Sequence, residues 1–246
     1  MNTIKVNAKN TLMVAHRGVS GLEKENTCAA FVAAGNRSYF GVETDIHRTG
    51  DGNFIIIHDA NTARVGHDNV NVEECTFDSL RRLQLCDRDE TKSRADLHLP
   101  SLEEYIGICK KYEKYCVLEL KSGYTDDEIH AMIDRIEALG WLDHVIFIAF
   151  GYENLKKVRA YKPTQTCQFL TDSVSDETLA MLKTDGIDLD VYYPSLTEER
   201  VAAFHAAGIK INCWTVDKKE DAERLIAWGV DYITSNILEG AEAYNL

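Results

Sequence analysis

The feature that most narrows the fold is a rhythm. Short apolar runs alternate with longer amphipathic stretches along almost the whole chain. Runs at Leu12–His16, Phe40–Ile46, Tyr115–Leu120, Val145–Phe150, Thr166–Leu170, Ile187–Val191, Ile209–Val216 and Tyr232–Thr234 have the length of buried strands. Between them, helical periods run over Asn26–Asn36, Leu102–Tyr112, Asp126–Leu139, Glu153–Ala160, Asp176–Thr184, Thr197–Ala207 and Asp217–Trp228. Ser101 with Glu104 three residues on is a capping box, and Gly140, Gly186, Gly208 and Gly229 stand where helices should end. Strands separated by helices pair in parallel, because the crossover helix returns the chain to the same end of the sheet. Eight such units in 246 residues predict a (β/α)8 TIM barrel. A doubly wound open sheet is the competing layout, but it wants a glycine-rich phosphate turn after its first strand, and Arg17-Gly18-Val19-Ser20-Gly21 is a poor version. No linker rich in Pro, Gly or Ser divides the chain, so one domain over 1–246 is expected.

One segment breaks the rhythm. From about 47 to 99 the chain departs after the second strand, where a strand-to-helix loop ordinarily takes roughly 2–6 residues. The excursion opens with the turn Thr49-Gly50-Asp51-Gly52 and a second short strand, Phe54–Ile57. A polar region at 61–74, a short helix over Phe77–Gln84 and a charged run at 87–96 follow. Loops of that length usually carry function, and a lid or substrate-binding wall is predicted.

The net charge of -13 argues against a nucleic-acid surface, which needs a basic face. Seven cysteines, odd in number and with no Cys-x-x-Cys, fit neither a disulfide framework nor a zinc ribbon. Cys109, Cys116 and Cys213 read as small core residues, and a reducing compartment follows. The first ten residues show no apolar signal region, and no run of about 18 apolar residues exists to span a membrane. A cytoplasmic protein without stable membrane association is expected; the oligomeric state is not readable.

Polar residues crowd where a barrel keeps its active site, at the C-terminal ends of strands. His16 and Arg17 end the first strand, Glu43 and Asp45 the second, Glu119 and Lys121 the third, and His58 and Asp59 leave the inserted strand. Glu43, Asp45 and His47 share one face, since side chains alternate across a strand. Carboxylates 43, 45 and 119 brought together repel unless they are protonated, paired or bridged by a cation. An all-oxygen set suits Mg2+, Ca2+ or Mn2+ rather than zinc. Each carboxylate alone would read as a structural ion pair, and each histidine alone as a core or surface residue; their convergence changes the reading. His16 and His58 could serve as general acid and base, since a free imidazole titrates near neutral pH, while Arg17 and Lys121 suit anionic oxygens. Together they describe a site for a phosphate ester. His47 points the same way without an evident role. Trp214 is expected to wall the pocket, with Gln168, Phe169, Tyr192 and Tyr193 as weaker candidates.

These residues also resemble a family. Ala15-His16-Arg17-Gly18, Glu25-Asn26-Thr27, the 41–45 segment GVETD, the 49–52 turn, His58-Asp59 and Glu119-Leu120-Lys121 are similar to motifs of the glycerophosphodiester phosphodiesterases. So are INCWTVD at 211–217 and GVDYITSN at 229–236. The resemblance runs from about Val14 to Ile237 and rests on order and spacing. It implies a barrel with an insertion after strand two, and hydrolysis of small-molecule glycerophosphodiesters to glycerol 3-phosphate and an alcohol. It implies one divalent cation (Mg2+ or Ca2+, with Mn2+ as a third choice) on Glu43, Asp45 and Glu119, with His16 and His58 as the acid/base pair. Arg17 and Lys121 would contact phosphate, and Asn26 and Trp214 would line the substrate pocket. Two departures stand out: Lys24 replaces the usual proline before Glu25-Asn26-Thr27, and Ala149 replaces a serine often found at the fourth strand end. Rival readings are a lysophospholipase D-type or phosphoinositide-type phosphodiesterase on the same barrel, and a catalytically inactive binding barrel. The polar insertion disfavours the lipid-active enzymes, and the intact histidines and carboxylates disfavour the inactive one. A sugar-phosphate isomerase would want a glycine-rich phosphate turn after strands seven and eight, which the chain lacks.

Overall fold

The structure, a computed structural model, describes residues 2–242. Eight parallel strands close into a barrel: β1 Leu12–Ala15, β2 Gly41–Arg48, β3 Tyr115–Leu120, β4 Val145–Ala149, β5 Cys167–Thr171, β6 Asp188–Tyr192, β7 Ile211–Trp214 and β8 Tyr232–Ser235. Closure comes from β1, which pairs β8 through Tyr232↔Leu12 and β2 through Val14↔Gly41. Seven helices connect them: α1 Cys28–Gly35, α2 Leu102–Lys111, α3 Asp126–Ala138, α4 Tyr152–Tyr161, α5 Asp176–Asp185, α6 Glu198–Ala206 and α7 Lys219–Trp228. Capping boxes start α2 (Ser101 with Glu104) and α3 (Thr125 with Glu128), and left-handed Gly186 and Gly229 end α5 and α7. Element types match the sequence expectation, while several ends move inward. α1 begins at Cys28 because Thr27 is its N-cap, leaving Asn26 in the preceding turn. β7 is shorter than the run 209–216, and α7 starts at Lys219 because Asp217 is engaged with Ser235 and Asn236.

Side-chain alternation sorts the apolar residues into two layers. Val14, Val117, Ile146, Ile148 and Leu170 point into the barrel, where Phe40 stacks on Tyr115 at 4.3 Å beside Tyr232 near the N-terminal ends of the strands. Residues one step away, such as Val42, Leu118, Phe147, Leu189 and Ile211, join the helices in the outer core. Beyond β8, Leu238–Gly240 pairs in parallel with Ile4–Val6 as a two-stranded ribbon that packs on β1 and α7. Among the described residues no helix is long and apolar enough to cross a membrane.

The excursion after β2 is a packed structure. Its strand Phe54–Ile56 runs antiparallel to the end of β2, pairing Ile56 with Ile46. Alternation then divides its residues: Phe54 and Ile56 join the barrel's outer core, while Ile55 and Ile57 join Val65, Val72, Leu80, Leu85, Leu97 and Leu99 in a second core. Two short helices, Ala63–Gly66 and Phe77–Arg81, complete it; the second is shorter than the predicted 77–84. Arg81 donates to the Leu99 carbonyl and to Glu104 Oε1, 2.8 Å, tying the excursion to the start of α2. A segment with its own core holds a side chain such as His58 in place as a loose loop does not.

Candidate active site

The C-terminal ends of the strands enclose a pocket lined by residues that include His16, Arg17, Glu43, His58, Glu119, Lys121, Ile148, Asp190 and Trp214. Its polar wall begins where β1 ends. Arg17 and Gly18 both take positive φ, +52° and +74°, which reverses the chain directly after His16. Gly18 permits this because a Cβ there would lie 2.6 Å from that of Ala30. The reversal aims the Arg17 N–H at Glu43 Oε2, 2.7 Å, and brings its guanidinium to Glu25 at 2.9 Å and Asp45 at 3.5 Å.

Glu43, Asp45 and Glu119 are all buried, and one oxygen from each lies within 4.8 Å of the others. The β2–β3 register places Asp45 opposite Glu119. Burial, then the charge of Asp45, pushes the Glu119 carboxyl up to about 7, and the same causes raise Glu43 well above the usual carboxylate range. Burial would raise Asp45 as well, but Arg17, Lys121 and His58 outweigh it and hold that carboxyl at about 2. Lys121 donates to Glu119 Oε1 at 2.8 Å and stands 3.6 Å from Asp45 Oδ1. Asp45 Oδ1 is nevertheless buried without a hydrogen-bond partner. Three buried carboxylates, two held against ionisation and one with an unused oxygen, fit a hard divalent cation.

Each pocket histidine is anchored through Nδ1. Asn236 donates through Nδ2 to Asp217 at 2.6 Å, and a carboxylate accepts only, so Asn236 Oδ1 must face the other way. That oxygen accepts from Ser20 Oγ at 2.6 Å and from His16 Nδ1 at 2.7 Å. His16 is thereby held with its proton on Nδ1 and a lone pair on Nε2, which lies 3.9 Å from Glu43 Oε2. Burial and the neighbouring Arg17 charge push its imidazole down to about 4. His58 Nδ1 lies 2.6 Å from Asp59 Oδ1. Asp59 accepts from Arg64 at 2.7 Å, Arg64 grips Glu25 at 2.7 and 2.9 Å, and Glu25 returns to Arg17. An unbroken chain of ion pairs thus joins the excursion to the turn after β1.

His47 stands behind His58. Its Nε2 lies 3.2 Å from the His58 carbonyl, and its Nδ1 is 3.4 Å from Ser122 Oγ and 3.6 Å from Glu73. Asn26, expected at the substrate, lies instead behind the carboxylates. It is buried, does not line the pocket, donates to Asp45 Oδ2 at 2.7 Å and accepts from Thr44 at 2.7 Å. Trp214 lines the pocket and meets Phe150 and Tyr192 at 5.7 and 5.6 Å between ring centroids. Gln168 is fully buried beneath, and the Tyr193 hydroxyl is turned to Asp221. Sequence reasoning missed Glu25, Arg64 and Ser20 as supports, because their pairing needs two distant loops to meet. Asp190, on the inward parity of β6, also escaped notice.

The glycerophosphoryl diester phosphodiesterase family model matches residues 16–239. The glycerophosphodiester phosphodiesterase of Caldanaerobacter subterraneus is 30% identical over 230 residues, covering 92% of this chain and 94% of that protein. A glycerophosphodiester phosphodiesterase of Bacillus subtilis is 28% identical, covering 92% and 83%. Among solved structures, a glycerophosphodiester phosphodiesterase from Parabacteroides distasonis superposes with a TM-score of 0.79 at 27% identity, covering 92% of this chain and 93% of that one. An Oleispira antarctica phosphodiesterase in complex with the product sn-glycerol-3-phosphate gives 0.81 at 22% identity, covering 94% and 96%, a likeness of fold. Taken with the barrel and its charged pocket, the family match over residues 16–239 means that this chain belongs to the glycerophosphoryl diester phosphodiesterase family.

Proposed function

We propose that the chain, working as one barrel domain, hydrolyses glycerophosphodiesters to glycerol 3-phosphate and an alcohol. Glu43, Asp45 and Glu119 would hold one divalent cation, with Mg2+ and Ca2+ the favoured ions. Bound there, the cation would let all three carboxylates ionise and would draw charge from the phosphoryl oxygens. The observation that carries the reading is the anchoring of both histidines by Nδ1, which leaves two Nε2 atoms to serve one pocket.

The two imidazoles have different partners, and we assign their roles from that difference. His16 rests on a neutral amide, and its burial beside Arg17 keeps it unprotonated, so its Nε2 takes the proton from the nucleophile. His58 rests through Nδ1 on the Asp59 carboxylate, which orients its ring, so its Nε2 is the one left to give a proton to the leaving alkoxide. Arg17 and Lys121 hold the non-bridging oxygens. The nucleophile is water or the hydroxyl adjacent to the ester; in the second case a cyclic phosphate forms and water then opens it. Seven free cysteines, five of them buried, support a cytoplasmic setting. The test is release of glycerol 3-phosphate from glycerophosphocholine and glycerophosphoethanolamine with divalent cation supplied. No release from either contradicts the proposal.

A further inference from the structure

The pocket has two unlike halves. Its β1–β3 side carries His16, Arg17, Glu43, Glu119 and Lys121. Its β4–β8 side is walled by Ile148, Phe150, Leu170 and Trp214, with Asp190, Thr215 and Thr234 as the polar residues on that side. Thr234 has a partner, since its hydroxyl donates to Asn212 at 3.2 Å. Asp190 has none for Oδ1: it is 1% exposed, and that oxygen is buried without a hydrogen bond. Beneath it, Asn212 donates to Gln168 Oε1 at 3.1 Å, which leaves Gln168 Nε2 buried and unpaired as well. A carboxyl oxygen buried in an apolar wall with no partner is unfavourable in a resting protein, which favours a partner supplied by the ligand.

We propose that Asp190 is a specificity-determining residue whose carboxyl hydrogen-bonds the terminal hydroxyl of the glycerol moiety. This rests on the functional reading above. Glycerol is the part common to all such diesters, whereas the alcohol varies in size. A residue buried at the depth of Asp190 suits the constant part; the open rim, where Phe150 and Tyr192 are 46% and 44% exposed, suits the variable one. Burial, then the charge of Glu119, holds the Asp190 carboxyl well above its usual range. A neutral carboxyl can donate to a hydroxyl or accept from it, which suits an alcohol better than a cation. Thr234, on the next strand but one, adds a hydroxyl oxygen with spare lone pairs to the same wall.

The experiment compares kcat/KM for glycerophosphocholine with that for 2-hydroxypropyl phosphocholine. The second compound keeps the hydroxyl next to the ester and lacks the terminal one. In the wild type, glycerophosphocholine should be preferred by about tenfold or more, the value of one hydrogen bond to a buried partner. In Asp190→Leu the ratio should fall toward one, and in Asp190→Asn, which retains a polar group, most of it should remain. A ratio unchanged in Asp190→Leu overturns the assignment. Should the leucine variant not fold, Asp190→Ser gives the same comparison, and a wild-type ratio near one overturns the proposal without any variant. Turnover of neither compound by the wild type overturns the functional reading, and this one with it.

Discussion

Replacing Glu119 by glutamine should stabilise the metal-free protein while abolishing its activity. The Glu119 carboxyl binds its proton more tightly folded than unfolded, at about 7 against an ordinary 4.5. Its contribution to stability is therefore fully present below pH 4.5 and is lost as pH rises through 7. At pH 8 the difference of about 2.5 pH units amounts to about 3 kcal/mol set against the folded state. Glutamine keeps the shape and an oxygen for the Lys121 ammonium, 2.8 Å away, and removes the charge that opposes Asp45 and Glu43. Some attraction to Lys121 is lost, so a net gain of about 1–3 kcal/mol is expected at pH 8 and almost none at pH 4.5. In a chain of this size that is a rise of about 3–10 °C in Tm. Thermal and urea unfolding in chelator at both pH values measure it. Added Mg2+ or Ca2+ should stabilise the wild type and leave Glu119→Gln unmoved. A wild-type stability that does not fall between pH 4.5 and 8, together with a less stable Glu119→Gln at pH 8, would refute the reasoning.

His16→Ala and His58→Ala should each lower kcat by about 10²–10⁴ with Tm little changed, checked by steady-state kinetics and calorimetry. Near-wild-type turnover in either would remove it from the acid/base pair. His47→Leu should lower kcat by about tenfold at nearly constant KM, because the His58 carbonyl loses its donor, and His47→Gln should recover most of it; equal effects of the two would contradict a positioning role. Tyr105→Phe should cost about 1–2 kcal/mol in urea unfolding without changing kcat, since the buried hydroxyl donates to the Val42 carbonyl at 2.7 Å while its ring packing on Phe31 survives.

Legibility from sequence followed the range of the interactions involved. The eight strands and their helices were readable because periodicity and caps are local; even Gly186 and Gly229 could be placed from their position alone. Strand parity brought Glu43 and Asp45 to one face, and the parallel pairing of β2 with β3 then brought Glu119 to them. The place of Asn26 behind the carboxylates has a structural cause. The positive φ of +52° turns its amide back onto Asp45 and Thr44, and no sequence pattern distinguishes an inward-turned asparagine from one that meets a ligand. The Asp59–Arg64–Glu25–Arg17 chain was invisible because it spans two loops whose approach is set by the excursion's own core. His47 shows the limit from the other side: its parity was evident, but its partner is a backbone carbonyl eleven residues on, which sequence does not display.

The most direct test of the account is a titration of metal-stripped protein with Mg2+ or Ca2+, following ion binding by calorimetry and glycerol 3-phosphate release from glycerophosphocholine in the same samples. The predicted result is one ion per chain, activity rising in proportion to occupancy, and an affinity that weakens as pH falls below about 7, where Glu119 takes up a proton. Full activity in excess chelator, or binding that leaves activity unchanged, would contradict the assignment of Glu43, Asp45 and Glu119 as the centre of the catalytic site.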